Sequence, residues 1–224
     1  MNIAGIQHFS LLDYPGKMSA IIFTQGCPFR CTYCHNQELQ PVSAGNISFE
    51  EVLEFLGTRV GLLEGVVFSG GEPLLQYDLY DAMVQVKNLG FDIGLHTSGA
   101  IPSQFEKVLP VVNWVGFDIK TTFNNYEQIT RIPNSGRLAQ SSFMKLLNFR
   151  DSVDFEIRTT VDNRYIKFED LEKIAEFLKE NDIHEWVLQQ CILRYSDRDD
   201  VTLQLPSDDD LARLQKIIKV KIRF

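Results

Sequence analysis

No stretch of this chain approaches the roughly 18–20 consecutive apolar residues that span a bilayer. Its first seventeen residues have neither the basic opening nor the apolar core of a secretion signal. Both lacks point away from an integral membrane protein and from an exported one. Lysine and arginine, 22 against 30 aspartates and glutamates, are the minority charge and form no cluster. A chain with a net charge of −8 and no basic patch has little to offer a phosphate backbone, so nucleic-acid binding is not expected. Internal repeats, low-complexity tracts and Pro/Gly/Ser-rich linkers are missing too, and residues 1–224 read as one domain. Cysteine is scarce: there are four, and Cys27, Cys31 and Cys34 fall within eight consecutive residues. In a chain without an export signal, such crowding suggests a metal or catalytic site in a reducing cytoplasm, not a disulfide framework.

What recurs instead is a short apolar run followed by a helical pattern. The runs are Ser19–Thr24, Gly65–Ser69, Phe91–Thr97, Val111–Ile119, Phe155–Val161 and Glu185–Gln190. They are rich in Val, Ile and Phe and mostly lack polar alternation, as expected of parallel strands covered on both faces. Between them, Ser48 and Glu51 form a capping box ahead of Val52, Leu53, Leu56 and Val60. Phe168, Leu171, Ile174, Ala175 and Leu178 make a second apolar stripe at helical spacing, and Ser207 with Asp208–Asp210 opens a last helix. Weaker helical patterns lie near Tyr77–Asn88, Pro102–Leu109 and Ser141–Asn148. Six β–α units in series predict an α/β fold, a partial (β/α)6 TIM-like barrel of parallel strands. An open doubly wound sheet is the alternative. The pattern divides into an N-terminal β-hairpin with an Asp13-Tyr14-Pro15-Gly16 turn (1–17), the barrel core (18–191) and a C-terminal extension with a helix running toward "KIIKVKIRF" (192–224).

The cysteine loop, "GCPFRCTYCHN", follows the first core strand, at the mouth where such barrels build their sites. Three thiolates on one tight loop can hold three corners of a four-iron, four-sulfur cluster and leave the fourth iron open to a substrate or cofactor. The rival is a structural zinc site with Cys191 or His35 as fourth ligand, although zinc ligands usually come in two separated pairs. Cys191 alone reads as a small core residue, and it leaves no set of four cysteines for a second cluster.

The loop "TQGCPFRCTYCHN" resembles the signature of radical S-adenosylmethionine (SAM) enzymes, and "FSGGEPLL" resembles their methionine-binding motif. "GIQHFSLLDYPGK", "FDIK", "EIRTTV" and "LQQC" are similar to segments of the proteins that activate anaerobic ribonucleotide reductases, relatives of the pyruvate formate-lyase activating enzymes. The resemblance runs from about Gly5 to about Cys191. It implies an oxidoreductase that cleaves SAM reductively to a 5′-deoxyadenosyl radical, which takes a Cα hydrogen from a glycine of a large partner enzyme. A flavodoxin- or ferredoxin-type protein would supply the electron. A six-unit barrel would leave a lateral gap for the partner's glycine loop.

The same resemblance distributes the site. Cys27, Cys31 and Cys34 become cluster ligands and catalytic residues. Gly70 and Gly71 permit close backbone approach, and Glu72 is a candidate acceptor for the methionine ammonium. Tyr33 is assigned near the adenine. Asp118 and Lys120, which alternation puts on one side of their strand, belong to the ribose and carboxylate region. Arg158 suits a carboxylate through its planar fork, and Gln189 or Gln190 suits the adenosine. Each has a plainer reading as well: a glycine turn, a packed ring, a buried ion pair, or a backbone hydrogen bond. His96, in "HTSG", stands where related enzymes often carry an aspartate associated with a monovalent cation. Imidazole is a poor ligand for a hard cation, so either the cation is absent or its shell differs, and His96 is a candidate to touch substrate or cofactor. His8, His35 and His184 read as surface or packing residues. Two other functions fit parts of the pattern: a radical SAM enzyme for a small molecule, resembling 7-carboxy-7-deazaguanine synthase, and a non-enzymatic zinc-binding module.

Overall fold

The computed structural model describes residues 1–192 and 204–223, so part of the C-terminal extension expected at 192–224 lies outside the described residues. The chain divides into two compact units, one of Met1–Phe29, Asn36–Phe117 and Leu138–Phe155, the other of Arg30–His35, Asp118–Arg137 and Glu156–Phe224.

In the first unit, β1 (Ile3–Ser10) pairs antiparallel with β2 (Ser19–Thr24), placing Ile6 opposite Ile22. β3 (Gly65–Gly70), β4 (Asp92–Thr97) and β5 (Trp114–Asp118) then follow in parallel register. This is the expected hairpin followed by parallel strands. The turn between β1 and β2 sends Tyr14 into the core, 5% exposed and stacked on Trp114 at 5.5 Å between centroids. Its ring lies so close to Gly65 and Gly94 that a β-carbon there would meet it at 2.9 and 3.1 Å. The connecting helices bury one stripe each. In α1 (Phe49–Gly57) the stripe is Val52 and Leu56, behind the Ser48–Glu51 capping box. In α2 (Leu79–Asn88) it is Leu79, Ala82, Met83 and Val86, and in α3 (Pro102–Val108) it is Phe105 and Val108.

The second unit carries α4 (Tyr126–Thr130), most of β6 (Asp154–Val161), α6 (Phe168–Glu180), β7 (Glu185–Gln190), α7 (Asp208–Leu214) and β8 (Lys219–Arg223). Helix α5 (Ser135–Leu147) starts six residues before its expected beginning. β6, β7 and β8 are parallel neighbours. Thr159 ties several elements together: its hydroxyl donates to the Ile119 carbonyl at 2.6 Å and accepts from the Trp186 indole at 3.1 Å.

Two expectations need correction. The run Val111–Ile119 yields a strand only from Trp114, because Asn113 is spent on β4: its backbone N–H donates to the Ile93 carbonyl and its side chain accepts from the Ile93 N–H. The segment expected to end as a helix through "KIIKVKIRF" leaves the helix after Leu214 and forms β8. Val220 is buried, while Lys219 and Lys221 both reach Glu185 of β7, at 2.8 and 2.5 Å. These ion pairs draw the Glu185 carboxyl below its usual range.

Candidate active site

β2 delivers the chain to the first cysteine, and the turn after β3 is stitched against that exit. The Gly71 N–H donates to the Thr24 carbonyl and the Glu72 N–H to the Gly26 carbonyl, both at 2.9 Å. Gly70 has φ +111°, and a β-carbon on it would stand 2.4 Å from the Thr24 nitrogen. Only glycine tolerates both demands. The Cys27 N–H is held by the Gln40 carbonyl at 3.1 Å, and the buried Gln25 side chain donates to the Glu38 and Pro41 carbonyls.

Glu72 is 1% exposed, and both its oxygens are occupied by the chain. Oε1 accepts from Thr97 Oγ1 at 2.6 Å and from the Leu74 N–H at 3.3 Å; Oε2 accepts from the Ser98 N–H at 2.9 Å and its hydroxyl at 2.5 Å. Burial pushes the carboxyl upward, against the pull of these four donors. The expected acceptor is thus also the brace that fixes the glycine turn. His96, at the end of β4, is joined to Ser69 and to Asp13.

Within the second unit, Cys31 and Cys34 share one turn, the Cys34 N–H donating to the Cys31 carbonyl at 3.1 Å. α4 anchors this turn: the Arg30 N–H donates to the Thr130 carbonyl and the Thr32 N–H to the Ile129 carbonyl. Burial pushes the Cys31 thiol up, and the Lys120 cation opposes it. Asp118 Oδ1 accepts from Arg158 Nε at 2.9 Å, and Lys120 Nζ lies 3.5 Å from Oδ2. The Lys120 ammonium also sits over the Tyr33 ring, 5.8 Å from its centroid. Tyr126 locks the Asp118–Lys120 backbone by donating to the Asp118 carbonyl and accepting from the Lys120 N–H. Cys191, 4% exposed, packs against Tyr33, and burial raises its thiol to about 12. Gln190 ends β7 opposite Val161 and is half-buried, like Gln189.

The structure therefore groups Asp118, Lys120, Arg158, Tyr33 and Cys31 in one unit, and Gly70, Gly71 and Glu72 in the other. Among the described residues, no three His, Cys, Asp or Glu side chains stand close enough to share a single metal ion. Sequence reasoning missed Thr97 and Ser98, the partners of Glu72; they were visible only as polar residues ahead of Gly99. It also missed Tyr126, on a helix too short to leave a pattern. A third omission is Asp162, fully buried beyond β6, whose carboxylate takes a two-pronged contact from Arg164 at 2.8 and 2.6 Å.

The radical SAM superfamily model matches residues 21–189, and the chain belongs to that superfamily. It is an enzyme of a class that uses a four-iron, four-sulfur cluster and SAM, which sets aside the zinc-binding interaction module. A protein of Methanocaldococcus jannaschii, provisionally named a glycyl-radical enzyme activating enzyme, is 30% identical over 229 residues, covering 97% of this chain and 91% of its own. The pyruvate formate-lyase-activating enzyme of Clostridium pasteurianum is 33% identical over 150 residues, 64% of this chain and 61% of that enzyme. SuiB of Streptococcus suis, solved bound to S-adenosylmethionine, shares the fold with a TM-score of 0.64 at 13% identity, over 89% of this chain and 48% of SuiB.

The residues present suit the superfamily's cofactors. None of Cys27, Cys31 and Cys34 is in a disulfide, and all three are partly accessible. In the same loop, the Thr32 and Tyr33 hydroxyls are buried without a hydrogen-bond partner, as is the Thr121 hydroxyl next to Lys120. Buried donors left unpaired are costly unless something bound satisfies them.

Proposed function

We propose that this chain is a glycyl-radical-enzyme activase whose partner is an anaerobic ribonucleotide reductase. The observation that carries the reading is the conjunction of three cysteines on one loop, none in a disulfide, with a near full-length match to a protein named for glycyl-radical activation. Cys27, Cys31 and Cys34 would hold the cluster through their thiolates. When bound, the cluster and SAM supply a 5′-deoxyadenosyl radical that takes the glycine Cα hydrogen of the partner.

The chain's own contribution is orientation and exclusion of water. The Gly70–Gly71–Glu72 turn receives the methionine end. Asp118, Lys120 and Arg158 form the polar wall for the carboxylate and ribose, with Arg158 and Lys120 holding the Asp118 carboxylate in place. Tyr33 and Gln190 flank the adenosine. The electron comes from a flavodoxin- or ferredoxin-type protein, and the setting is cytoplasmic.

The test is anaerobic. Iron and sulfide are reconstituted, SAM and dithionite are added, and 5′-deoxyadenosine and methionine are quantified; the reductase is then added and its glycyl radical sought by electron paramagnetic resonance. Both products and a radical doublet are expected. SAM consumption that yields a modified small molecule and no partner radical would replace the activase with a small-molecule enzyme.

A further inference from the structure

His96 and Thr97 at the end of β4 and Ser98 just after it are consecutive polar residues, and each grips the end of β3 or the turn beyond it. Thr97 and Ser98 hold Glu72, beyond the two glycines. His96 holds the residue before them, its Nδ1 lying 3.3 Å from Ser69 Oγ. The other ring nitrogen, Nε2, is 2.9 Å from the backbone carbonyl of Asp13, and the ring meets Trp114 edge-on at 5.5 Å. A carbonyl oxygen has no proton to give, so Nε2 must carry the hydrogen; in the neutral ring Nδ1 is then free to accept from the Ser69 hydroxyl. Asp13 is itself fixed, its carboxylate accepting from Ser10 Oγ at 2.5 Å, and its neighbour Tyr14 is packed on Trp114.

We propose that His96 is a positioning residue for the methionine-binding turn, bridging the N-terminal turn at Asp13 to Ser69. This rests on the assignment of Gly70–Gly71–Glu72 to the methionine end of SAM. Two adjacent glycines are the most mobile dipeptide a binding loop can contain, and ordering them on binding costs affinity. Here the pair is pinned on both sides by β4: Glu72 through Thr97 and Ser98, Ser69 through His96. The bridge thereby keeps Gly70 at its left-handed φ, and Gly71 against Gly26, before any ligand arrives.

The experiment compares His96→Leu, His96→Gln and His96→Asp in the reconstituted holoenzyme, measuring the SAM dissociation constant and the cleavage rate at saturating SAM. Leucine removes both hydrogen bonds and should weaken SAM binding about 5- to 10-fold, with the saturated rate within about twofold. Glutamine restores an N–H toward Asp13 and should recover most of the affinity. Aspartate turns an acceptor toward the Asp13 carbonyl and should do no better than leucine. Equal affinities for all variants, or a loss confined to the saturated rate, would overturn the proposal. So would aspartate restoring affinity on addition of sodium or potassium. Should His96→Leu not fold, imidazole nitrogen NMR of the unaltered apo-protein decides: the Nε2–H tautomer is expected, and the Nδ1–H tautomer rejects the bridge. An unaltered holoenzyme that shows this tautomer yet binds no SAM overturns the positioning role through failure of the site assignment, leaving the bridge as a structural contact.

Discussion

Gly71 is pressed against Gly26: a β-carbon on Gly71 would stand 2.2 Å from the Gly26 carbonyl oxygen, which also accepts the Glu72 N–H at 2.9 Å. The residue before the first cysteine and the middle of the glycine turn are thus one backbone-to-backbone contact.

Gly71→Ala cannot be absorbed by a side-chain rotation, because the clash is with main chain. It should cost about 1–3 kcal/mol, as overpacking does, and lower the melting temperature by several degrees. It should also weaken SAM binding. Calorimetry checks the first effect and equilibrium titration the second; an unchanged melting curve would mean that the turn is free to move.

Single alanine substitutions at Cys27, Cys31 or Cys34 should abolish 5′-deoxyadenosine formation and reduce bound iron and sulfide. Cys191→Ala should leave both intact. Elemental analysis beside the cleavage assay separates the two groups, and loss of the cluster in Cys191→Ala would identify a fourth ligand.

Cys191 should also resist alkylation. Its thiol titrates near 12 in the fold, so at pH 8–9 it remains protonated and buried while an unfolded cysteine is reactive. A folded pKa above the unfolded value means that this thiol's contribution to stability is whole below the unfolded pKa and declines as pH rises toward 12. Mass spectrometry after iodoacetamide, with and without denaturant, gives the contrast directly.

Glu185 supplies the opposite sign. Its carboxyl is drawn down by Lys219 and Lys221, so the help it gives β8 is present above the ordinary glutamate pKa and is lost as pH falls through the lowered one. Amide protection at Val220 and Ile222 should drop on acidification and with added salt, since these pairs are partly exposed. In Glu185→Gln the protection should be low and flat across that range.

The fold was legible where the pattern is local. β2 and β7 lie at Ser19–Thr24 and Glu185–Gln190, the limits read from their apolar runs, and the Ser48–Glu51 capping box starts α1. It was not legible where a side chain acts at a distance. Asn113 looks like one more residue of an apolar strand until its amide is seen bound to Ile93. β8 was hidden because Ile217 and Ile218 continue the helical spacing from Leu214, although Lys-Val-Lys-Ile-Arg alternates with period two. At the site, residue types named the cysteines and the glycine turn. Three of the four donors that brace Glu72 come from residues 25 and 26 positions away, and no local periodicity reports a contact of that kind.

Among the described residues β8 pairs with β7 alone within its unit, and its alternate residues Lys219, Lys221 and Arg223 carry positive charge. A strand with one unpaired side is a template on which another chain can polymerise. Lys219 and Lys221 are tied to Glu185 and Arg223 to Glu156, so a second copy laid alongside would have to strip water from these ion pairs, which guards the edge against fibre-like association. Neutralising Lys219 and Lys221 together should therefore leave the monomer folded but lower the concentration at which it stays in solution.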